Sequence, residues 1–323
     1  MKPTSSSTRN TRPSGQPGAA SATLPTRLAA DLGISLAQAL HYINAWKGKT
    51  VVVKYGGSIM QVESQEDARR DPNPVAADEG TVIEDLVLLK GAGINPVLVH
   101  GGGPEITKTL GRFGKVSRFV NGLRVTDPET MEVVEMVLAG HANKDLVSRI
   151  TAAGGVAVGI SGKDGKVFQA RKLVSEEDLG QVGEIETVDT TLVDLLSHAG
   201  YVPVIASIGI GRDGESYNLN ADHAAGALAG ALGASKFILL TDVAGVYRGD
   251  DGDRTLLSVV RTQEAEQLFA AGVISKGMIP KVEAALAALR AGVPTSHIIS
   301  GLQPHALLVE LLTEEGIGTM LVP

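Results

Sequence analysis

The sequence predicts an α/β protein with an open, mostly parallel central sheet sandwiched by helices. Short apolar runs rich in valine, isoleucine and leucine, such as residues 51–53 and 97–99, have the length and composition of buried strands. They alternate with helix-length amphipathic or alanine-rich segments, which is typical of a parallel sheet covered on both faces. Only 3% of the residues are aromatic and 39 are glycine, so we expect an aliphatic core and many turns.

Composition and charge exclude several classes of protein. The chain has 323 residues, a net charge of −7 and no cysteine. The negative charge argues against nucleic acid or an anionic membrane as a partner. The absence of cysteine excludes disulfides, thiolate metal sites and cysteine nucleophiles. No apolar run approaches the ~18 residues that span a bilayer, so we expect neither a nucleic-acid nor a membrane partner.

The first 26 residues are rich in Ser, Thr, Pro, Gly and Ala and contain no acidic residue. This composition is typical of a transit-peptide remnant, although a disordered bacterial tail would look the same. We therefore expect residues 1–34 to be disordered and the protein to lie in the plastid stroma, with the cytoplasm as the alternative.

A short amphipathic helix follows at residues 35–48. Ser35 has the character of an N-cap, and the apolar side chains of Leu40, Ile43 and Trp46 recur at helical spacing. This single apolar face either packs on its own domain or docks onto the same helix of another subunit.

Two of the predicted strands end in glycine turns. Residues 51–55 lead through Lys54 into Gly56-Gly57, and residues 96–100 lead into the turn 101–103, where a helix begins. Glycine turns and helix N-termini offer backbone N–H groups to anions, and parallel sheets bind ligands at the carboxyl ends of their strands. The pattern predicts one shared anion site, although ordinary turns beside a solvated lysine would look similar.

The remaining elements follow in alternation. Helices are expected at residues 82–91, 105 onward, 129–152, 221–232, 277 onward and 303–312, and strands at 157–160, 202–205, 236–240, 295–299 and 319–322. Residues 167–172 have the character of a hairpin or edge strand, and residues 62–80 that of a polar surface loop.

Common nucleotide-binding and catalytic signatures are absent from the sequence. Residues 48–50 (Gly-Lys-Thr) lack the upstream glycine of a P-loop and precede a strand, and residues 101–104 lack the dinucleotide fingerprint. No protein-kinase catalytic loop, nucleophile elbow or zinc-ligand spacing is present either.

The polar residues that remain suit phosphoryl transfer. Lys54 ends the first strand, Asp222 is expected to cap a helix, and Lys281 lies in the first turn of another helix. A cation at a helix N-terminus is unfavourable unless an anion lies there too, although Lys281 could also be an ordinary surface lysine. Phosphoryl transfer needs in-line positioning and positive charge, and an ionised carboxylate acceptor needs no general base.

Three further residues are candidates for binding the acceptor. Arg124 can grip a second carboxylate with its bidentate guanidinium. Asn218 and Asn220 alternate with Leu219 and would face the same way if extended. Both asparagines could instead satisfy turns.

Six motifs in one order carry a family resemblance. They are Lys54-Tyr-Gly-Gly57, His100-Gly-Gly-Gly103, Asn121-Gly-Leu-Arg-Val-Thr126, Asn218-Leu-Asn-Ala-Asp222, Thr241-Asp-Val-Ala-Gly245 and Gly277-Met-Ile-Pro-Lys281. From about residue 35 onward the chain resembles the N-acetyl-L-glutamate kinases of the amino acid kinase family. The resemblance implies the two-lobed amino acid kinase fold, with an amino-acid-substrate lobe at 49–233 and an ATP-binding and arginine-effector lobe at 234–323.

The resemblance also implies an activity and a set of site residues. The activity is ATP-dependent phosphorylation of the side-chain carboxylate of N-acetyl-L-glutamate to N-acetyl-L-glutamyl 5-phosphate, in arginine biosynthesis. Lys54 and Lys281 would stabilise the transferring phosphoryl group, and Asp222 would organise them. The implied substrate-binding residues are Gly57, Gly102, Gly103, Arg124, Asn218 and Asn220. The implied ATP-binding residues are Thr241, Asp242, Gly245, Gly277 and Met278. Mg²⁺ would be held by phosphates and not by a protein metal site.

The resemblance also implies feedback regulation, through the N-terminal helix and the C-terminal segment of the chain. Arginine-inhibited members carry a helix like residues 35–48, pair it between dimers to form hexamers, and end like residues 297–319. The implied arginine contacts are Tyr42, His297, Glu310 and Gly316. Glu310 is the carboxylate expected to bind the guanidinium, although it could also be an exposed helix charge. Plastid-type relatives bind the PII signalling protein, which makes PII a candidate partner.

Other functions stay open at this point. A sister kinase acting on another carboxylate and a non-catalytic arginine-sensing protein would share these motifs. A pyridine-nucleotide oxidoreductase is supported by fold class alone. Lys276 and residues 63–80 have no role in the pattern.

Overall fold

The computed structural model describes residues 35–60, 81–249, 254–274, 276–314 and 316–323. The predicted disordered segment 1–34 and the predicted loop 62–80 lie outside these residues. Among the described residues, no helix is long and apolar enough to cross a bilayer.

The helices and strands mostly alternate along the chain, as the sequence predicts, although the helices at 191–198 and 262–270 were not predicted. The helices are α1 (Leu36–Trp46), α2 (Val82–Gly91), α3 (Gly103–Arg112), α4 (Pro128–Glu135), α5 (Asn143–Ala152), α6 (Thr191–His198), α7 (Ala221–Ala231), α8 (Thr262–Ala270), α9 (Ile279–Arg290) and α10 (Ala306–Leu312). The strands are β1 (Thr50–Tyr55), β2 (Asn95–His100), β3 (Phe119–Val120), β4 (Leu123–Arg124), β5 (Ala157–Ser161), β6 (Phe168–Lys172), β7 (Val182–Val188), β8 (Val202–Ala206), β9 (Ile208–Ile210), β10 (Ser216–Leu219), β11 (Lys236–Thr241), β12 (Tyr247–Arg248), β13 (Thr255–Leu256), β14 (Val259–Arg261), β15 (Ser296–Ser300) and β16 (Thr319–Val322).

One sheet forms the centre of the described chain. Its strand order is β14-β16-β15-β11-β1-β2-β8-β5. The strands from β15 to β5 are parallel, whereas β16 runs antiparallel to β15 and pairs in parallel with β14. This confirms the predicted mostly parallel α/β sheet. The sheet draws strands from both 49–233 and 234–323, and the division into two lobes at residue 233 stays a prediction.

Strand β1 is central and is buried on both faces. Val52 contacts one aliphatic cluster, together with α7 and α9, whereas Val51 and Val53 contact a second cluster on the opposite face, with α1, α2, α5 and α10. This alternation follows from the two-residue period of a strand. The alanine-rich α7 and α9 pack closely, because a Cβ at Gly226 would lie 2.8 Å from the carbonyl oxygen of Ala284.

A small closed barrel, β10-β7-β6-β9, lies beside the sheet. Strand β6 pairs antiparallel with β7, which agrees with the hairpin or edge strand predicted at 167–172. The closure of the barrel is not evident from the sequence, because β10 pairs with β7 in parallel across a long stretch of chain.

The N-terminal helix α1 begins as the sequence predicts. Ser35 and Gln38 form a reciprocal capping box. Ala39 and Ile43 are buried against the sheet's own helices, whereas Leu40 is 41% exposed. The helix therefore packs on its own domain and still presents part of an apolar face.

The predicted helix 129–152 is interrupted. It consists of α4, a π-helical segment (Met136–Ala142) and α5. The extra residue in a π turn changes which side chains face inward, and Asn143 is fully buried as a result. The helix predicted at 303–312 begins later, at Ala306, because the Asp85 carboxylate accepts a hydrogen bond from the Leu307 N–H at 3.0 Å.

Candidate active site

A cavity of about 1000 Å³ lies at the carboxyl ends of β1 and β2. It is lined by the glycine turn 101–103, the hairpin of β3 and β4, and the N-terminal turns of α7 and α9. The structure brings ten of the predicted site residues to its walls. These are Lys54, Gly57, Gly102, Gly103, Arg124, Asn218, Asn220, Asp222, Gly277 and Lys281.

Two lysines and one aspartate form the charged centre of the cavity. The Lys54 Nζ lies 2.9 Å from Asp222 Oδ1, and the Lys281 Nζ lies 3.2 Å from Asp222 Oδ2. Asp222 is only 5% exposed. Burial opposes ionisation of this carboxyl group, but the two ammonium groups outweigh burial and hold its pKa below the ordinary value. One carboxylate therefore fixes two ammonium groups at the strand end.

The expectation that Asp222 caps a helix is wrong. Asn220 is the N-cap of α7, and its Oδ1 accepts hydrogen bonds from the backbone N–H groups of Asp222 (2.9 Å) and His223 (3.1 Å). Asp222 lies inside the first turn, where its charge is favoured by the helix dipole. Asn220 thus both caps α7 and lines the cavity. Asn218 donates from Nδ2 to the hydroxyl of Thr126 at 3.1 Å.

Arg124 is held rigidly at the far side of the cavity. Its guanidinium donates to the carbonyl oxygen of Gly103 and to the hydroxyl of Thr107, both at 2.8 Å, and also to the Ser117 hydroxyl. The ring of Phe119 lies 4.7 Å from the guanidinium carbon. A fixed and mostly buried guanidinium is suited to bidentate carboxylate binding.

Two glycines of the cavity, Gly102 and Gly57, have little room for a side chain. A Cβ at Gly102 would lie 2.7 Å from Leu138 Cδ2, and a Cβ at Gly57 would lie 3.0 Å from Pro104 Cδ. Helix α3 begins at Gly103, so its N-terminal N–H groups face the same space. Both predicted glycine turns border this cavity, and the shared anion site stays a prediction.

The comparisons with known proteins agree with this geometry. Residues 49–300 match the model of the amino acid kinase family. The acetylglutamate kinase of Pelotomaculum thermopropionicum is 52% identical over 295 residues, which cover 88% of this chain and 96% of that protein. This chain belongs to the acetylglutamate kinases of the amino acid kinase family.

Solved structures also resemble this amino acid kinase. The N-acetylglutamate synthase of Neisseria gonorrhoeae, in complex with coenzyme A and N-acetyl-glutamate, superimposes with a TM-score of 0.74 at 26% identity. The match covers 89% of this chain but only 62% of the synthase. The same synthase in complex with coenzyme A and L-arginine gives a TM-score of 0.70, also at 26% identity, over 88% of this chain and 64% of the synthase.

Three of the predicted ATP-binding residues, Thr241, Asp242 and Gly245, lie at or after the end of β11, the neighbour of β1 in the kinase sheet, whereas Gly277 and Met278 directly precede α9. Thr241 ends that strand, and its hydroxyl donates to the Asp242 carboxylate at 3.1 Å. A Cβ at Gly245 would lie 2.4 Å from the Thr319 hydroxyl oxygen. Gly277 reaches the cavity, whereas Thr241, Asp242, Gly245 and Met278 are not among the residues that line it.

Glu310, one of the predicted effector residues, is the centre of a separate buried cluster that includes His297. Its Oε1 lies 2.8 Å from both the Lys236 Nζ and the His297 Nδ1, and its Oε2 accepts the Ile317 N–H at 3.0 Å. Although burial opposes ionisation of this carboxyl group, these partners lower the pKa of Glu310 to about 2. The alternative of an exposed helix charge is wrong, because Glu310 is 5% exposed.

Other residues complete this cluster. A Cβ at Gly316 would lie 3.0 Å from Glu310 Oε2. The indole ring of Trp46 lies between Lys49 and Lys236, with centroid distances of 5.1 and 5.3 Å, and Tyr42 packs against the core cluster on the same face. Lys236 was not among the predicted site residues, although a lysine at the start of an otherwise apolar strand was an available signal.

Proposed function

We propose that the protein transfers the γ-phosphoryl group of ATP to the side-chain carboxylate of N-acetyl-L-glutamate, forming N-acetyl-L-glutamyl 5-phosphate in arginine biosynthesis. The observation that carries this proposal is the convergence of Lys54, Asp222 and Lys281 on a glycine-walled cavity. The identity of the acceptor is inferred from the similar proteins, which are named acetylglutamate kinases.

The mechanism needs positive charge near the transferring phosphoryl group and correct positioning of the acceptor, and it needs no general base. The acceptor carboxylate is ionised at neutral pH and is itself the nucleophile. Lys54 and Lys281 approach the phosphoryl oxygens from β1 and α9, where their positive charges stabilise the negative charge of the transition state. Asp222 holds the two ammonium groups in one geometry, and N–H groups of the two glycine turns bind the remaining oxygens.

Arg124 is the second contact for the acceptor. Its guanidinium lies at the cavity wall and is already oriented by Gly103 and Thr107. It would bind the α-carboxylate, which leaves the side-chain carboxylate facing the two lysines. This arrangement favours an acceptor with two carboxylates over a monocarboxylate.

Magnesium enters as the ion bound to ATP. Within the described ranges, no group of three His, Cys, Asp or Glu side chains could hold a metal ion. Asp222, the carboxylate at the cavity centre, is already committed to two lysines. With no free carboxylate cluster among the described residues, Mg²⁺ would be held mainly by the phosphate oxygens of ATP. There the ion would neutralise part of the phosphate charge.

The deciding experiment is coupled ADP release with N-acetyl-L-glutamate, compared with aspartate, glutamate, UMP and carbamate as acceptors. We expect turnover with N-acetyl-L-glutamate. Turnover with another acceptor alone would reassign the protein to a sister kinase. Arginine binding without ADP release from any acceptor would leave a non-catalytic sensor.

Arginine inhibition is the proposed regulation. The ionised, buried Glu310 is a ready partner for a guanidinium, and a structural relative is known in complex with L-arginine. Arginine would compete with Lys236 and His297 for this carboxylate. We expect Glu310→Gln to raise the arginine concentration for half inhibition at least tenfold, as the loss of a charge-assisted bidentate contact implies. An unchanged inhibition curve would refute this site.

Assembly, partner and location are proposed from the N-terminal segment. We expect α1 to dock between dimers through its exposed Leu40 face, giving a hexamer that is a trimer of dimers. Deleting residues 1–48 should then leave dimers in light scattering, and a hexameric truncation would exclude this arrangement. The acid-free residues 1–26 suggest a plastid location and hence PII as a partner, which calorimetry with a PII protein tests directly.

A further inference from the structure

A buried polar pair lies behind the glycine turn of the cavity. His100 is the last residue of β2, and Asn143 is the first residue of α5. Both are fully buried, and neither is among the residues that line the cavity. Buried polar side chains are retained where their hydrogen bonds are satisfied, so the partners of this pair indicate what it does.

The partners of His100 define its tautomer. Its Nδ1 lies 2.9 Å from the carbonyl oxygen of Gly101, which can only accept, so Nδ1 carries the proton. Burial lowers the pKa of His100 to about 4, and the ring is neutral at physiological pH. Its Nε2 is therefore an acceptor, and it receives the Nδ2 amide of Asn143 at 3.0 Å.

The orientation of Asn143 is fixed in turn. Its second Nδ2 hydrogen is shared between the carbonyl oxygens of Val204 (2.9 Å) and Ile160 (3.2 Å), and its Oδ1 accepts from the Lys144 Nζ at 2.9 Å. Lys144 also donates to the carbonyl oxygen of Gly159 at 2.7 Å. A Cβ at Gly159 would lie only 1.9 Å from Asn143 Oδ1. The fold thus reserves space for the amide in this orientation.

The π-helical segment connects this pair to the turn. It ends at Ala142, immediately before Asn143, and its Leu138 contacts Gly102. The same π-helical segment therefore positions both Asn143, which reaches His100, and Leu138, which covers Gly102. π turns inside helices often occur at functional sites.

We propose that Lys144, Asn143 and His100 form a relay that orients the Gly101–Gly102 peptide, so that the Gly102 N–H points at the phosphoryl oxygens. In a planar trans peptide the C=O and N–H bonds point in opposite directions. Holding the Gly101 oxygen on the His100 side therefore directs the Gly102 N–H to the cavity side. His100 and Asn143 are positioning residues. This role rests on the proposed phosphoryl transfer.

The test is Asn143→Leu, which removes the donor to Nε2 and keeps the branching and the number of side-chain heavy atoms. We expect kcat to fall about 10-fold to 100-fold, because one transition-state donor is misdirected, while the KM values change less than threefold. ¹⁵N-histidine NMR of the free protein should show Nδ1–H as the His100 tautomer in the wild type. In the variant it should show a mixture, because the ring is no longer held by Asn143 and can turn away from the Gly101 oxygen. Thr151→Ala, which removes a side-chain bond to Val147 on the same helix, is the control and should change neither readout.

Each outcome separates this inference from the proposed function. A wild-type enzyme that phosphorylates no acceptor refutes the function, while the NMR still tests the relay. A wild-type His100 protonated at Nε2 overturns the relay, as does a folded Asn143→Leu variant with kcat within twofold of wild type. If Asn143→Leu does not fold, the exposed Lys144→Met takes its place, with an expected kcat decrease of about threefold. An unchanged kcat there also overturns the proposal.

Discussion

Replacing Asp222 with Asn tests the centre of the proposed site most directly. The change keeps the shape of the side chain and removes the one negative charge that faces both lysines. Lys54 lies 2.9 Å and Lys281 lies 3.2 Å from its oxygens. In Asp222→Asn, two ammonium groups would face each other without a counter-charge and would move apart.

The magnitude follows from these distances. Coulomb's law with an effective dielectric constant of about 20 gives roughly 5 kcal/mol for each contact. Desolvation of the three groups offsets much of this energy, and both lysines border the cavity, so we expect a net loss of about 1–3 kcal/mol in the free energy of unfolding. Because both lysines lose their position, kcat should fall at least about 10²-fold, or roughly 2.7 kcal/mol of transition-state stabilisation.

Coupled ADP release measures the rate, and urea unfolding measures the stability. Glu135→Gln is the matched control, because Glu135 also pairs with a lysine, Lys163, at 2.6 Å but does not line the cavity. We expect the control to keep its kcat. Since the pKa of Asp222 is lowered in the folded state, the stability difference should be present above the unfolded pKa and close as the pH falls through the folded pKa. Asp222→Asn with kcat within threefold of wild type would refute the assigned role.

Three further predictions use the same assays. Lys281→Met should lower kcat about 10²-fold with little change in the KM for ATP, and a purely KM-based defect would contradict its role in the transition state. Arg124→Lys should raise the KM for N-acetyl-L-glutamate about tenfold through loss of the bidentate contact, which initial-rate kinetics would show; an unchanged KM would remove Arg124 from the substrate contacts. Burial raises the pKa of Asp85 from 3.8 to about 6, even though contacts with His305 and the Leu307 N–H lower it. Between these pH values the folded state binds more protons than the unfolded state, so this group alone reduces the free energy of unfolding by roughly 3 kcal/mol as the pH rises. The free energy of unfolding of Asp85→Asn, measured by urea unfolding, should lack that decrease. If it changed with pH in parallel with that of the wild type, the raised pKa of Asp85 would be contradicted.

Local patterns were enough to predict most of the architecture. The valine-rich β1, the glycine turns and the alanine-rich helices are each encoded by neighbouring residues, because strand burial, turn conformation and helix packing depend on short-range spacing. The same patterns identified Lys54, Asp222 and Lys281 as the charged residues at element ends. Their order along the chain matched the family that the comparisons confirm.

The tertiary structure decided what the polar residues contact. Asn220, and not Asp222, caps α7, because the cap depends on backbone geometry where β10 ends. Glu310 is buried because Lys236 and His297, on adjacent strands, converge on it. The π-helical segment that buries Asn143 has no signal in the helical periodicity.

Lys54 shows both contributions. The sequence by itself determined that a lysine ends a buried strand beside two glycines. Only the fold brought Asp222 within 2.9 Å of it, across more than 160 residues of chain, because parallel strands and the helices between them deliver distant segments to one edge of the sheet.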